Sequence, residues 1–229
     1  MLLYKFKSKR NFKFAIFLAI NFCCSLILGL IFKDKNLFGA ITLFLGCSQI
    51  FFMTQGVWWE EIFGLTESLL TAIVCMFANL YGTVIFTVAI FVPLSIFSLV
   101  NWKKNQTGGV VKINKMTFKT SAIVVIGLSV AIVVVSFLLS LLPGQNLPVL
   151  DTLTNMLDLC AIILLALRYK EGWIFWILCS ITDLVIWSLL FSSGSSENAL
   201  MMIILSVIYI VMYLWGFISF ITLRKKQEK

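Results

Sequence analysis

Eight apolar segments separated by short turns run through this chain of 229 residues. About 20 apolar residues cross the hydrocarbon core of a bilayer as a helix. The chain is 61% hydrophobic and only 12% charged, whereas a soluble domain has about 25% charged residues. The pattern predicts an all-α integral membrane protein with eight transmembrane helices. The predicted segments are Phe14–Phe32, Phe38–Met53, Ile62–Leu80, Gly82–Trp102, Ser121–Leu142, Val149–Leu167, Gly172–Phe191 and Ala199–Leu223.

The basic residues predict how these segments are oriented. Lys and Arg concentrate in the cytoplasmic loops of helical membrane proteins. If both termini are cytoplasmic, 16 of the 18 basic residues face the cytoplasm, and only Lys33 and Lys35 lie outside. The net charge of +8 therefore reflects membrane topology, and no nucleic-acid partner is predicted. The cytoplasmic residues are Lys5, Lys7, Lys9, Arg10, Lys13, Lys103, Lys104, Lys112, Lys115, Lys119, Arg168, Lys170, Arg224, Lys225, Lys226 and Lys229.

The residue types present exclude several chemistries. The chain has no histidine, and its six cysteines form no C-x-x-C pair. Neither a zinc site nor a disulfide framework is therefore predicted. We expect no metal and no cofactor, and the loops are too short to hold a soluble catalytic domain.

The order of the segments predicts an internal repeat. Segments two to four and six to eight share the same layout, and each triplet ends in a basic cluster. Two parallel three-helix repeats then require a linking helix, which the fifth segment supplies (3+1+3), and the first segment is an extra helix. Parallel repeats are a known transporter architecture. The predicted units are 1–33, 34–105, 106–147 and 148–229.

One helical face of the seventh segment carries polar and aromatic side chains. Spacings of 3 and 4 residues place Trp176, Ser180, Asp183 and Trp187 on the same face as Trp173. A carboxylate at membrane depth is costly and commonly marks a substrate pathway. We therefore predict that this face binds a small molecule carrying a ring and hydroxyl groups.

Further polar stripes extend the predicted substrate site to other segments. Interhelical hydrogen bonding is the alternative explanation for such residues. Separately, Pro93 in the fourth segment predicts a kink in that helix. The kink is either a hinge for a conformational change or a static bend. The additional candidate residues are Asn155 and Asp158 in the sixth segment, Tyr209 and Tyr213 in the eighth, and Glu67 and Thr87 in the first repeat.

Several motifs resemble one known family. Phe63-Gly64-Leu65 and Asn101-Trp102-Lys103-Lys104-Asn105 in the first half, and Arg168-Tyr169-Lys170-Glu171-Gly172-Trp173-Ile174-Phe175-Trp176 in the second, are similar to motifs of the nicotinamide riboside transporter (PnuC-type) family. The chain departs from many members at Ser180, where they carry Asn or Asp. The match runs from about Phe38 to Arg224.

The resemblance implies a SWEET-like fold in the bacterial inner membrane, with a trimer as the homo-oligomer. It also implies facilitated diffusion of nicotinamide riboside, and a cytoplasmic kinase that traps the substrate by phosphorylation. Carriers of thiamine, riboflavin and deoxynucleosides are similar, so these substrates stay open. A membrane-embedded enzyme that uses Asp158 and Asp183 as an acid–base or metal pair is a further alternative. A chelator should abolish the activity of a metal enzyme and leave a passive carrier intact.

The predicted topology can be tested by cysteine labelling. In a variant without the native thiols, Lys112→Cys should react with a membrane-impermeant maleimide only from the cytoplasmic side, because this lysine belongs to a predicted inner loop. Labelling of intact cells at this position would contradict the predicted orientation.

Overall fold

The computed structural model describes residues 2–31, 37–107, 110–195 and 199–228, and this part of the chain contains eight long helices. The predicted helices are confirmed, and six of the eight are long and apolar enough to cross a membrane. Lys33, Lys35 and the boundary predicted between 33 and 34 lie outside the described residues. The helices are α1 (Leu2–Ile31), α2 (Leu37–Thr54), α3 (Glu61–Phe77), α4 (Tyr81–Lys104), α5 (Phe118–Ser140), α6 (Pro148–Ala166), α7 (Gly172–Ser192) and α8 (Ala199–Gln227).

Two short features complete the fold at one end of the helices. A single 3₁₀ turn, Trp58–Glu60, leads into α3. Two-residue strands, β1 (Gln106–Thr107) and β2 (Val110–Val111), pair antiparallel in the loop that follows α4. The backbone N–H of Val111 donates to the carbonyl of Gly56, so this loop also contacts the turn between α2 and α3.

Six of the eight helices form a ring. In order around it, α2 contacts α3, α3 contacts α4, α4 contacts α6, α6 contacts α7, α7 contacts α8, and α8 closes the ring on α2. Helix α1 packs on the outside against α2, and α5 packs against α6. Only 6% of α5 is buried, and its exposed surface is almost entirely Val, Ile, Leu and Phe, as expected of a lipid-facing helix. The packing order does not test whether the two triplets are repeats, which stays a prediction.

Helix α4 contains an irregular turn. The segment Thr87–Phe91 is π-helical, and the N–H of Val92 donates to the carbonyl of Thr87, five residues earlier. The irregularity directly precedes Pro93, which has no N–H to donate. Turns of this kind are rare and occur frequently at functional sites. Thr87 and Phe91 are both buried and face the centre of the ring.

A buried carboxylate joins α4 to α6 at one end of the ring. Asp151 is fully buried and accepts hydrogen bonds from Gly82 N (3.0 Å), Thr83 Oγ1 (2.9 Å), Gln145 Nε2 (2.7 Å) and Asn155 Nδ2 (2.9 Å). Because Gly82 lies in the first turn of α4, the negative charge also faces the positive end of the helix dipole. A side chain at Gly82 would collide with Asp151 Oδ2, so only glycine permits this approach.

The same two helices are joined at the opposite end. Trp102 is fully buried, and its Nε1 donates to Leu165 O at 2.8 Å. Asn101 Nδ2 donates to Ala166 O at 2.6 Å. These bonds satisfy carbonyls in the last turn of α6, which have no partner within the helix. The α4–α6 contact is thus held by hydrogen bonds at both ends.

Removal of the Asp151 carboxylate should destabilise the fold. Asp151→Ala leaves the four donors without an acceptor, and each buried unpaired group is costly, so we expect the free energy of unfolding to fall by about 2–4 kcal/mol. Unfolding of purified protein in mixed detergent micelles measures this. Glu228→Ala, at an exposed position near the end of α8, should change little. Equal effects of the two substitutions would show that the network contributes nothing specific.

Candidate functional site

The ring of helices encloses a cavity of about 140 Å³. Residues of all six ring helices line it, and the described residues of α1 and α5 contribute none. Its size is close to that of an engineered cavity of about 150 Å³ that holds benzene, so it accommodates one aromatic ring without rearrangement. All ten residues predicted to bind substrate line this cavity, although their role in binding stays a prediction. They are Glu67, Thr87, Asn155, Asp158, Trp176, Ser180, Asp183, Trp187, Tyr209 and Tyr213.

A stacked aromatic pair forms one wall of the cavity. The rings of Trp176 and Tyr213 lie 5.0 Å apart at an interplanar angle of 23°. Trp173 lies behind Trp176, edge to face at 5.5 Å, and is fully buried. It packs closely against Gly216, where any side chain would collide with the indole. The predicted stripe on α7 therefore divides: Trp176 faces the cavity, while Trp173 supports it.

Asp158 fixes the orientation of Trp176. The indole Nε1 donates to Asp158 Oδ1 at 2.7 Å, from α7 to α6. Asp158 is only half-buried, because its side chain faces the open space of the cavity. This hydrogen bond fixes the plane of the Trp176 ring and keeps the Asp158 carboxylate beside it.

The other two candidate carboxylates are held by neighbouring hydroxyl and thiol groups. Asp183 Oδ1 accepts from Thr154 Oγ1 at 2.6 Å, and Cys179 Sγ lies 3.8 Å from Asp183 Oδ2. Across the cavity, Glu67 Oε1 accepts from Thr71 Oγ1 at 3.0 Å and from Tyr209 OH at 3.4 Å.

Tyr209 reaches Glu67 because Gly46 of α2 has no side chain and leaves room for the phenol. Its hydroxyl passes so close to Gly46 that an added Cβ would overlap it. The same hydroxyl also donates to Thr42 O at 3.3 Å. The α2–α8 contact therefore places Tyr209 against the cavity and in reach of α3.

In the described part of the chain, the carboxyl groups around the cavity have no basic counterpart. Among the described residues, its lining includes five carboxylate side chains and no Lys, Arg or His. Such a lining attracts a cation and repels an anion, and in a space of low dielectric constant both effects are stronger than in water. The five are Glu61, Glu67, Asp151, Asp158 and Asp183.

The sequence analysis missed many of the lining residues, four of which bear on the site. Thr154 and Cys179 each lie four residues before a candidate carboxylate, a spacing that could have identified them, but Thr and Cys are also common packing residues in membrane helices. Gln49 had no signal of its own, because its amide reaches the cavity by lying against Gly64. Glu61 also lines the cavity and is only 5% exposed.

The fold and the site together define a class of protein. A helical membrane protein that encloses a polar, aromatic cavity within a ring of helices is built as a small-molecule transporter. The model of one transporter family matches residues 36–222, and the chain belongs to that family, described as nicotinamide mononucleotide transporter.

Two individual proteins are also similar to this chain. The nicotinamide riboside transporter PnuC of Neisseria mucosa is 27% identical over 209 residues, covering 86% of this chain and 77% of that protein. The crystal structure of the vitamin B3 transporter PnuC superposes with a TM-score of 0.79 at 25% identity, over 93% of this chain and 92% of that one. These relatives are transporters and not enzymes, which argues against an enzyme based on Asp158 and Asp183.

The aromatic wall gives a direct test of the site. Trp176→Ala should weaken substrate binding by about 1–3 kcal/mol, the range found for loss of a stacked base–aromatic contact. Trp58→Ala is the matched control, because Trp58 lies outside the cavity under the Lys103 amine, and it should have far less effect. Titration calorimetry decides the comparison; similar losses in both variants would mean that Trp176 only packs.

Proposed function

We propose that this chain carries nicotinamide riboside across the bacterial inner membrane by facilitated diffusion. The observation that carries the proposal is a cavity with an aromatic wall, a carboxylate-rich lining and no basic side chain among its described residues. Nicotinamide riboside has a positively charged pyridinium ring and a neutral sugar. A cation that stacks on Trp or Tyr gains a cation–π interaction, which is stronger when the site excludes water.

The same lining favours the riboside over the mononucleotide. The mononucleotide adds a phosphate that carries a charge of about −1.5 to −2 at neutral pH. Sites that bind phosphate commonly supply Arg, Lys or a helix N-terminus. Here the phosphate would meet Glu67, Asp158 and Asp183 instead. The family description names the mononucleotide, and the printed name of the Neisseria relative names the riboside; the charges in the cavity support the second.

The polar groups beside the aromatic wall suit a sugar. Asp158 Oδ1 accepts the indole hydrogen bond described above, which leaves Oδ2 for a ligand hydroxyl. Asp183 Oδ1 accepts from Thr154, and its Oδ2 has the weakly donating Cys179 thiol at 3.8 Å, so it can also accept from a ligand hydroxyl. Ser180 lies between Trp176 and Asp183 on the same face of α7. We propose that the pyridinium lies against Trp176 and Tyr213 and that the ribose hydroxyls donate to these carboxylates.

Transport then needs no energy source of its own. We propose that α2–α4 and α6–α8 are parallel repeats, with α5 as linker, that rock about the central site. A cytoplasmic kinase that phosphorylates the riboside would keep the product inside, since the cavity that admits a cation rejects the phosphorylated anion. The same proposal includes cytoplasmic termini, a homo-oligomer, and two repeat units at 34–105 and 148–229.

Thiamine is a second candidate substrate. It also carries a cationic aromatic ring, so the aromatic wall and the negative lining favour it for the same reason. Riboflavin and deoxynucleosides have no such charge, so the negative lining does not favour them.

The proposal is tested in liposomes that contain the purified protein and no kinase. With the membrane potential held at zero, labelled nicotinamide riboside should enter until its internal level equals the external level, with or without a pH gradient, because a carrier without coupling only equilibrates its substrate. The mononucleotide should not enter, and excess thiamine should show whether it competes. Asp183→Asn should weaken riboside binding but leave residual flux.

Two results would count against this proposal. Entry of the mononucleotide at the rate of the riboside would remove the electrostatic argument. Accumulation of riboside above the external level under a pH gradient, lost in Asp183→Asn, would replace facilitated diffusion with proton-coupled transport.

A further inference from the structure

Glu60 is a buried carboxyl group whose two oxygens make no hydrogen bond of good geometry in the described part of the chain. It lies in the 3₁₀ turn before α3 and is 0% exposed, and the Gln49 amide is a polar neighbour. Burial and the neighbouring Glu61 raise the pKa of Glu60 well above its ordinary value, and the Gln49 contact offsets part of this rise. An uncompensated buried carboxylate is among the costliest features that a fold can contain. Either a proton or a bound cation must therefore neutralise this group.

Other oxygen-bearing side chains surround this carboxyl group. The Glu61 carboxylate adjoins it, and the Gln49 amide reaches it from α2 across Gly64. From α4, the Ser95 and Ser98 hydroxyls face Glu61. Ser98 is 1% exposed, and apart from this contact with Glu61 its hydroxyl has no hydrogen-bond partner.

No basic residue neutralises the pair. Among the described residues, neither glutamate takes part in an ion pair, and the amine of Lys103 lies over the Trp58 ring at 4.8 Å. The titratable group that faces Glu60 from the elements packed against it is Glu61. Two carboxyl groups and the Ser98 hydroxyl thus lie near one another where α2, α3 and α4 meet.

We propose that Glu60, Glu61 and Ser98, with the amide oxygen of Gln49, bind a monovalent metal cation of the size of Na⁺ at the end of the cavity where α3 begins. A proton can join only two of the three oxygen atoms of Glu60 and Ser98, whereas a metal ion contacts them all. Oxygen ligands suit a hard cation. Two carboxylates are few for a divalent ion, and the described residues contain no group of three acidic or other strong ligands.

The bound ion would connect the first three ring helices. Its ligands come from α2, α4 and the start of α3, and three of the surrounding side chains, Gln49, Glu61 and Ser95, also line the cavity. The ion would therefore stabilise this end of the cavity whether or not the chain carries nicotinamide riboside.

Ion binding is measured on purified protein without substrate. At fixed pH and ionic strength, choline chloride is replaced by NaCl at a concentration that saturates the ion site. This exchange should raise Tm by about 5 °C or more, because a ligand that binds only the folded state stabilises it. Binding of ²²Na⁺ should approach one ion per chain. Glu60→Gln should lose both responses, and in choline it should be at least as stable as the unmodified protein, since it removes an unpaired charge.

Two further variants complete the test. Glu228→Gln, at an exposed glutamate just after α8, should keep the full response to Na⁺. Ser98→Ala should fold and bind ²²Na⁺ several-fold more weakly, which preserves the test if Glu60→Gln fails to fold. An unmodified protein that ignores Na⁺, or that responds only to pH, would overturn the proposal, as would a Na⁺ response that survives Glu60→Gln. Because substrate is absent, these outcomes do not depend on the transport assay.

Discussion

The structure depends on how carboxylates are kept inside a ring of helices that offers them no basic partner. Desolvation makes each buried negative charge costly, and a compensating group must come from nearby. Asp151 meets this requirement with four hydrogen-bond donors, one of them the first turn of α4. Asp158 relies on an indole, Asp183 on a threonine, and Glu67 on a threonine and a tyrosine. Most of these carboxylates accept a hydrogen bond from a neighbouring helix, so the same bonds also hold the ring of helices together.

This arrangement connects stability to function. Asp151 is surrounded by donors and serves the fold, whereas Asp158, Asp183 and Glu67 keep part of their surface open to the cavity. A cation that enters the cavity supplies the missing positive charge, which is why we propose a pyridinium nucleoside as the substrate. The π-helical turn of α4 lines the same space and places Thr87 and Phe91 against it. In the proposed function, the carboxylate-rich lining both selects the cationic substrate and prevents return of its phosphorylated, anionic product.

Much of the site was predictable because helices impose a period on the sequence. The spacing from Trp176 through Asp183 to Trp187 predicted one helical face, and all three residues line the cavity. Spacing did not reveal that Trp173 would be fully buried behind Trp176, because that depends on Gly216 of α8. Nor did it reveal Glu61, which closely follows two tryptophans in the sequence but packs inward against α2 and α4.

The sequence by itself determined that the chain is a membrane protein of eight helices, because apolar length and periodicity are local properties. It also determined which faces of α6, α7 and α8 carry polar side chains. Only the tertiary structure decided which helices close the ring, that α1 and α5 stay outside it, and which donors hold each carboxylate. Most of those outcomes depend on contacts between helices, over separations from 18 residues for Asp158 with Trp176 to 167 residues for Thr42 with Tyr209. No periodicity within one helix records such a contact.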